Sequence, residues 1–120
     1  MTKILLLGFD NPLREDLTRV LTDLRCTVCF QSFHPNWSAQ TDAHVVFCSG
    51  DSPHFRSVLR EIGRTHADLP VVLVTRLPEV ALWLDALEAG ATDYCAAPFE
   101  PTQLRWILES VLPRPKAVAA

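Results

Sequence analysis

Two short runs constrain this chain more than any other feature. Lys3–Leu7 (KILLL) and Leu69–Thr75 (LPVVLVT) are apolar almost throughout, without the polar alternation of a strand that has one wet face. A short continuous apolar run bounded by turn residues, such as Gly8 after the first, suits a strand covered on both faces. Strands of that kind belong to parallel sheets, whose neighbours are joined by crossovers that lay helices over the sheet. The rest of the chain supplies the parts. Thr27–Gln31 (TVCFQ), Ala43–Cys48 (AHVVFC) and Ala91–Ala97 (ATDYCAA) read as further strands. Between and after them run helical stripes: Leu13, Leu17, Val20, Leu21 and Leu24; Phe55, Val58, Leu59 and Ile62; Val80, Trp83, Leu84 and Leu87; Leu104, Ile107, Leu108, Val111 and Leu112. Each follows a helix-start signal at Asn11-Pro12, Ser52-Pro53, Pro78 or Pro101. Gly90 ends the third stripe.

Only Ser32–Asp42 breaks the alternation. It contains Pro35, has no clear period and is shorter than the dozen or so residues a parallel crossover needs. It predicts a stunted second helix near Asn36–Gln40, or a loop, packed down by Trp37. Five strands and their crossovers predict an α/β, flavodoxin-like three-layer sandwich with a parallel sheet of order 2-1-3-4-5, in which sites lie at the carboxyl ends of the strands. A single domain over 1–112 accounts for these elements. Residues 113–120, after Pro113-Arg114-Pro115, read as a tail or linker.

Composition narrows the function classes. A net charge of −3 without a basic patch gives no footing for nucleic acid, and no apolar run is long enough for a membrane span. The start MTKILLL turns polar too soon for a signal peptide, so a cytoplasmic setting is expected. In that setting Cys26, Cys29, Cys48 and Cys95 are free thiols that behave as small hydrophobes. Cys26-Thr27-Val28-Cys29 has CxxC spacing, but it leads into a strand instead of opening a helix, and no second pair completes a zinc site. His34, His44, His54 and His66 show no ligand spacing. Gly8-Phe9-Asp10-Asn11-Pro12 lacks the Gly/Ser/Thr run that would cradle a phosphate, and no GxGxxG occurs, so no flavin, nucleotide or other cofactor is expected.

Gly90–Leu104 (GATDYCAAPFEPTQL), read with Thr75 upstream, resembles the end of the receiver domain of two-component response regulators, the CheY-like family. Gly90-Ala91, Tyr94, Pro98-Phe99 and Thr75 match that family's pattern, and the resemblance extends over nearly the whole chain. It implies phosphoryl transfer from a phosphohistidine to an aspartate at the end of strand three. Mg²⁺ would be held by that Asp and an acidic pair after strand one. A Lys before a cis-Pro, a Thr or Ser after strand four and an aromatic switch on strand five complete the pattern. On this chain the acidic pair falls at Gly8 and Phe9, the acceptor at Cys48 and the Lys at Ala97. Only Thr75 and Tyr94 agree. Neither Gly8 nor Phe9 offers a side-chain oxygen, and Cys48 is a soft ligand that a hard cation avoids.

Two acids remain close by. Asp10, one residue beyond the acidic pair, reads as a helix-start acid favoured by the helix dipole. Asp51, three beyond the acceptor position, reads as a turn residue, and a register slip would bring it to the pocket. Thr75 and Tyr94 also have plain readings, as a strand residue and as a strand-edge residue whose hydroxyl reaches water. The resemblance implies a cis Ala97–Pro98 bond.

The expectation is therefore a degenerate receiver, a binding module and not an enzyme, that works by phosphorylation-independent protein contact. A receiver phosphorylated at an offset acid such as Asp51 is the alternative. A flavodoxin-like cofactor binder is the weaker third reading. Leu82, Trp83, Trp106 and Ile107 lie off or beside the core stripes of two helices that flank the last strand, and apolar patches of that kind mark partner sites. A protein partner or a second copy is expected on that face, and no metal.

Overall fold

The computed structural model describes residues 2–32, 41–51, 55–76 and 80–112, the side chains of 80–83 excepted. Outside the described residues lie the expected stunted helix with Trp37, the Ser52-Pro53 and Pro78 helix starts, and the 113–120 tail. The order of elements is β1 (Lys3–Leu7), α1 (Asn11–Asp23), β2 (Thr27–Gln31), β3 (Val45–Ser49), α2 (Phe55–Thr65), β4 (Val71–Thr75), α3 (Val80–Glu88), β5 (Asp93–Ala96) and α4 (Pro101–Val111). The five strands form one sheet in the order β2-β1-β3-β4-β5, every neighbouring pair parallel.

The unbroken apolar runs have the predicted consequence. Ile4 to Leu7, Val45 to Ser49 and Val71 to Thr75 are buried at every position, because helices cover both faces of β1, β3 and β4. Alternate residues serve opposite layers. Ile4, Leu6, Val45, Phe47, Val72, Val74 and Cys95 meet α1 and α4 through Leu13, Leu17, Val20, Leu21, Leu104, Ile107 and Leu108. Leu5, Leu7, Val46, Cys48, Val71 and Leu73 meet α2 through Phe55, Val58, Leu59 and Ile62, and α3 through Ala86. Truncating Phe47, fully buried in the middle of the sheet, to Ala would cost about 3–5 kcal/mol. The edge strand β2 is mostly exposed. There the Arg14 guanidinium lies 4.1 Å above the Phe30 ring and partly covers it.

Several local expectations are corrected. β3 and β4 start two residues later than the sequence suggests, β3 runs on through Ser49, and β5 is confined to Asp93–Ala96. The cap of α1 is Asp10, not Asn11: its carboxylate accepts the Leu13 N–H, and Pro12 stands one position further inside the helix. The helix α3 is rolled relative to its expected stripe. Leu84 is 52% exposed and Leu87 40%, whereas Ala86 is fully buried. A small side chain lets a helix approach the sheet closely, and a stripe read from large residues passes over it.

The two described helix ends before β2 and β5 close by the same device. Cys26 N–H donates to Leu21 C=O and Arg25 N–H to Thr22 C=O after α1; Ala91 N–H donates to Ala86 C=O and Gly90 N–H to Leu87 C=O after α3. Both are Schellman motifs, which need a left-handed residue at the turn. Gly90 fills that place with φ +109° and Arg25 with φ +65°.

Candidate functional site

The carboxyl ends of β1, β3 and β4 lie side by side, so the turns leaving them share one end of the sheet. After β1 the chain turns at Gly8, whose φ of +79° suits glycine and whose N–H donates to Gln31 C=O at 3.0 Å. Phe9 then packs onto the α1–α4 side of the core, and Asp10 caps α1. After β3, Gly50 runs against β4: its N–H donates to Val74 C=O at 2.7 Å, and a Cβ there would come within 3.0 Å of the Leu73 side chain. That close approach sets Asp51 beside the end of β4. Its Oδ1 accepts the Thr75 hydroxyl at 2.6 Å and its Oδ2 accepts the Arg76 N–H at 3.3 Å.

Arg76 completes the cluster. Its guanidinium donates through Nη2 to Asp10 Oδ2, and its Nη1 lies 3.5 Å from Asp51 Oδ2. Thr75 is buried, while the side chains of Arg76, Asp10 and Asp51 are 43%, 50% and 31% exposed. The hydrogen bond from Arg76 holds the Asp10 carboxyl below its usual range against a desolvation cost, with help from the Leu13 N–H, and the same bond raises the Arg76 pKa. Asp10 is therefore both helix cap and ion-pair partner, and Asp51 is more than a turn residue. The sequence reading missed Arg76. The available signal was a cation directly after Thr75, at the end of a strand next to β3 and one removed from β1.

The other predicted positions fall differently. Cys48 does not line this cluster: it is fully buried among apolar residues, and burial pushes its thiol up to about 12. Ala97 precedes a cis Pro98, as expected, and packs with Phe99 on the core. Tyr94 packs on the α2–α3 side and its hydroxyl oxygen is shielded from solvent, contrary to the plain reading in which it reaches water. Among the expected surface residues, Trp106 is 68% exposed. Ile107, expected both on the α4 stripe and on the partner face, is core at 7% exposure, on the same α4 face as Leu104 and Leu108, which removes it from the partner face. The side chains of Leu82 and Trp83 lie outside the described set. Cys29 is the exposed member of the cysteines. Among the described residues no three His, Cys, Asp or Glu side chains gather as a metal centre, and no helix is long and apolar enough to cross a membrane.

A parallel 2-1-3-4-5 sheet with its polar cluster beyond the strand ends, and a cis-Pro after β5, is a receiver-type, CheY-like architecture. Comparison with known proteins agrees. The chain superposes on the non-phosphorylated HemR receiver domain from Leptospira biflexa with a TM-score of 0.71 and 24% identity, over 96% of this chain and 98% of that one. It superposes on the chemotaxis response regulator CheY4 of Vibrio cholerae with a TM-score of 0.76 and 17% identity, over 93% and 99%. In sequence it is 30% identical over 113 residues to ycf27 of Cyanophora paradoxa, a probable transcriptional regulator, covering 94% of this chain and 42% of that protein. It is 40% identical over 65 residues to the protein PetR of Rhodobacter capsulatus, 53% of this chain and 27% of that one. The chain thus spans less than half the length of the curated relatives it matches. No family model matches it.

Proposed function

We propose that this chain is a degenerate receiver domain of two-component signalling that acts by phosphorylation-independent protein contact, as a binding module and not an enzyme. One observation carries the reading: the acids at the strand ends are already engaged. Asp10 holds Arg76 and the α1 N-terminus, and Asp51 holds Thr75 and the Arg76 amide. Gly8, Phe9 and Ala97 stand where the receiver pattern places two acids and a Lys, and Cys48 is enclosed in the core. A hard cation needs oxygen ligands that none of these four side chains supplies. The contact surface in this reading is the α3–β5–α4 face, where Leu84, Leu87 and Trp106 are exposed. It takes a protein partner or a second copy, and neither nucleic acid nor membrane. The setting in this reading is the cytoplasm.

Incubation with acetyl phosphate and Mg²⁺, followed by intact mass measurement, tests the proposal. An unchanged mass is expected. A phosphoryl adduct removed by Asp51→Asn would establish the offset-acid alternative.

A further inference from the structure

We propose that Arg76 is the resident cation of the strand-end cluster: its guanidinium clasps the β1–α1 and β3–α2 turns to the end of β4 and keeps the two acids closed to divalent cations. This deepens the phosphorylation-independent reading and rests on it. The geometry is the argument. Asp10 and Asp51 leave β1 and β3, and Arg76 leaves β4. With strands spaced about 4.8 Å apart, β1 and β4 stand about 10 Å apart across β3, a span that only a long side chain bridges. Arg76 bridges it. It donates to Asp10 at the far strand and meets Asp51 on the way, while its own backbone N–H donates to Asp51. The planar fork has donors enough to serve both carboxylates at once, which a single ammonium does less well.

The consequence is electrostatic. Two bare carboxylates at the end of the sheet would present a charge of −2. With the guanidinium between them the cluster is −1, and each of its four carboxylate oxygens already has a hydrogen-bond donor. A divalent ion would have to displace Arg76 or approach a like charge a few ångström away, a difference worth about tenfold or more in affinity. All three side chains are partly exposed, so the clasp owes its effect to occupancy and not to a large contribution to folding.

The test uses the whole 120-residue chain, with Mn²⁺ as a paramagnetic probe of backbone amide resonances. In the wild-type protein, broadening at Leu13 and at the amide of position 76 should be no stronger than beside distant exposed acids such as Asp68 and Glu109. In R76Q those two amides should broaden selectively, at Mn²⁺ concentrations about tenfold lower. R76K keeps the charge but not the fork, and should exclude Mn²⁺ less completely than the wild type yet clearly better than R76Q. Wild type and R76Q behaving alike, whether both broaden strongly or both weakly, would overturn the clasp. So would R76K behaving as R76Q. The acetyl phosphate experiment fails separately: a mass gain with the Mn²⁺ contrast intact would sink the functional reading and leave the clasp standing, and the converse result would do the opposite.

Discussion

Arg25 and Gly90 occupy equivalent places in two Schellman turns, yet only one is a glycine. A left-handed L-residue costs about 1–2 kcal/mol, and replacing it by glycine recovers part of that while adding freedom to the unfolded chain. Arg25→Gly should therefore raise stability by about 0.5 kcal/mol, and Gly90→Ala should lower it by about 1–2 kcal/mol, both read from urea midpoints at constant slope. The thiols differ as sharply. Burial pushes Cys48 up to about 12, burial and then the Asp93 charge push Cys95 up to about 11, and burial raises Cys26. Cys29 is exposed on the edge strand. With a thiol reagent at neutral pH, one cysteine of the four should react rapidly and the others only on unfolding. The Cys48 shift also fixes a sign. A thiol whose folded pKa lies above its ordinary 9.0 stabilises the folded state fully below that value and loses the contribution as pH climbs towards about 12. Cys48→Ala should flatten the alkaline fall in melting temperature over that window, whatever it costs at pH 7.

At the scale of elements, α3 carries the clearest test of how the chain packs. Its exposed Leu84 and buried Ala86 reverse the expectation from large apolar residues alone. Ala86→Leu should force the helix off the sheet and cost about 1–3 kcal/mol, while Leu84→Ser should stay within about 0.5 kcal/mol. The opposite ranking would restore the original stripe. The contrast explains what the sequence could and could not reveal. Strands that are apolar throughout, and the stripes of α1, α2 and α4, follow from burial on a sheet and were legible. So were the parallel sheet, from the alternation of strands and crossovers, the strand order, from the flavodoxin-like arrangement, and the cis Ala97–Pro98 bond, from family resemblance. The roll of α3 was not, because Ala is neutral in a hydrophobicity pattern and decisive in a close contact. The strand-end cluster was half legible. Asp10, Asp51 and Thr75 stood out as single positions, but their joining depends on Gly50 pressing the β3–α2 turn against β4 and on the reach of Arg76. Both are three-dimensional facts that spacing does not encode. Asp10 gives the joining a pH signature. Its pKa is lowered chiefly by Arg76, so its contribution is present above the ordinary carboxylate range and is lost as pH falls through the depressed value. Arg76→Gln should shrink the acid-side loss of stability.

For the whole molecule, β5 is the strand where an outer face is open to a partner's approach. The strand is an edge, with α3 packed on one layer and α4 on the other, and each helix leaves large apolar residues exposed: Leu84 and Leu87 on α3, Trp106 on α4. Scattered apolar residues need no explanation, but Trp is the type most enriched among binding hot spots. Trp106 is 68% exposed, beside a shallow recess lined by Glu109, Ser110 and Leu112. If the proposed face binds, a symmetric pair of copies would bury the same patch on each. The discriminating variant is Leu87→Ser with Trp106→Ala, since both residues are exposed and neither belongs to the two core clusters. Light scattering across a concentration series should show weaker association, or a lost partner, with a loss of about 2 kcal/mol or more in binding free energy. Melting temperature should hold nearly constant, because surface substitutions of this kind stay within about 0.5 kcal/mol. Ile107→Ala supplies the internal contrast: buried on the α1–α4 side of the core, it should cost about 2–5 kcal/mol of stability. A protein that stays monomeric at high concentration and binds nothing through Trp106 would remove this face from the proposal while leaving the fold and the strand-end cluster as described.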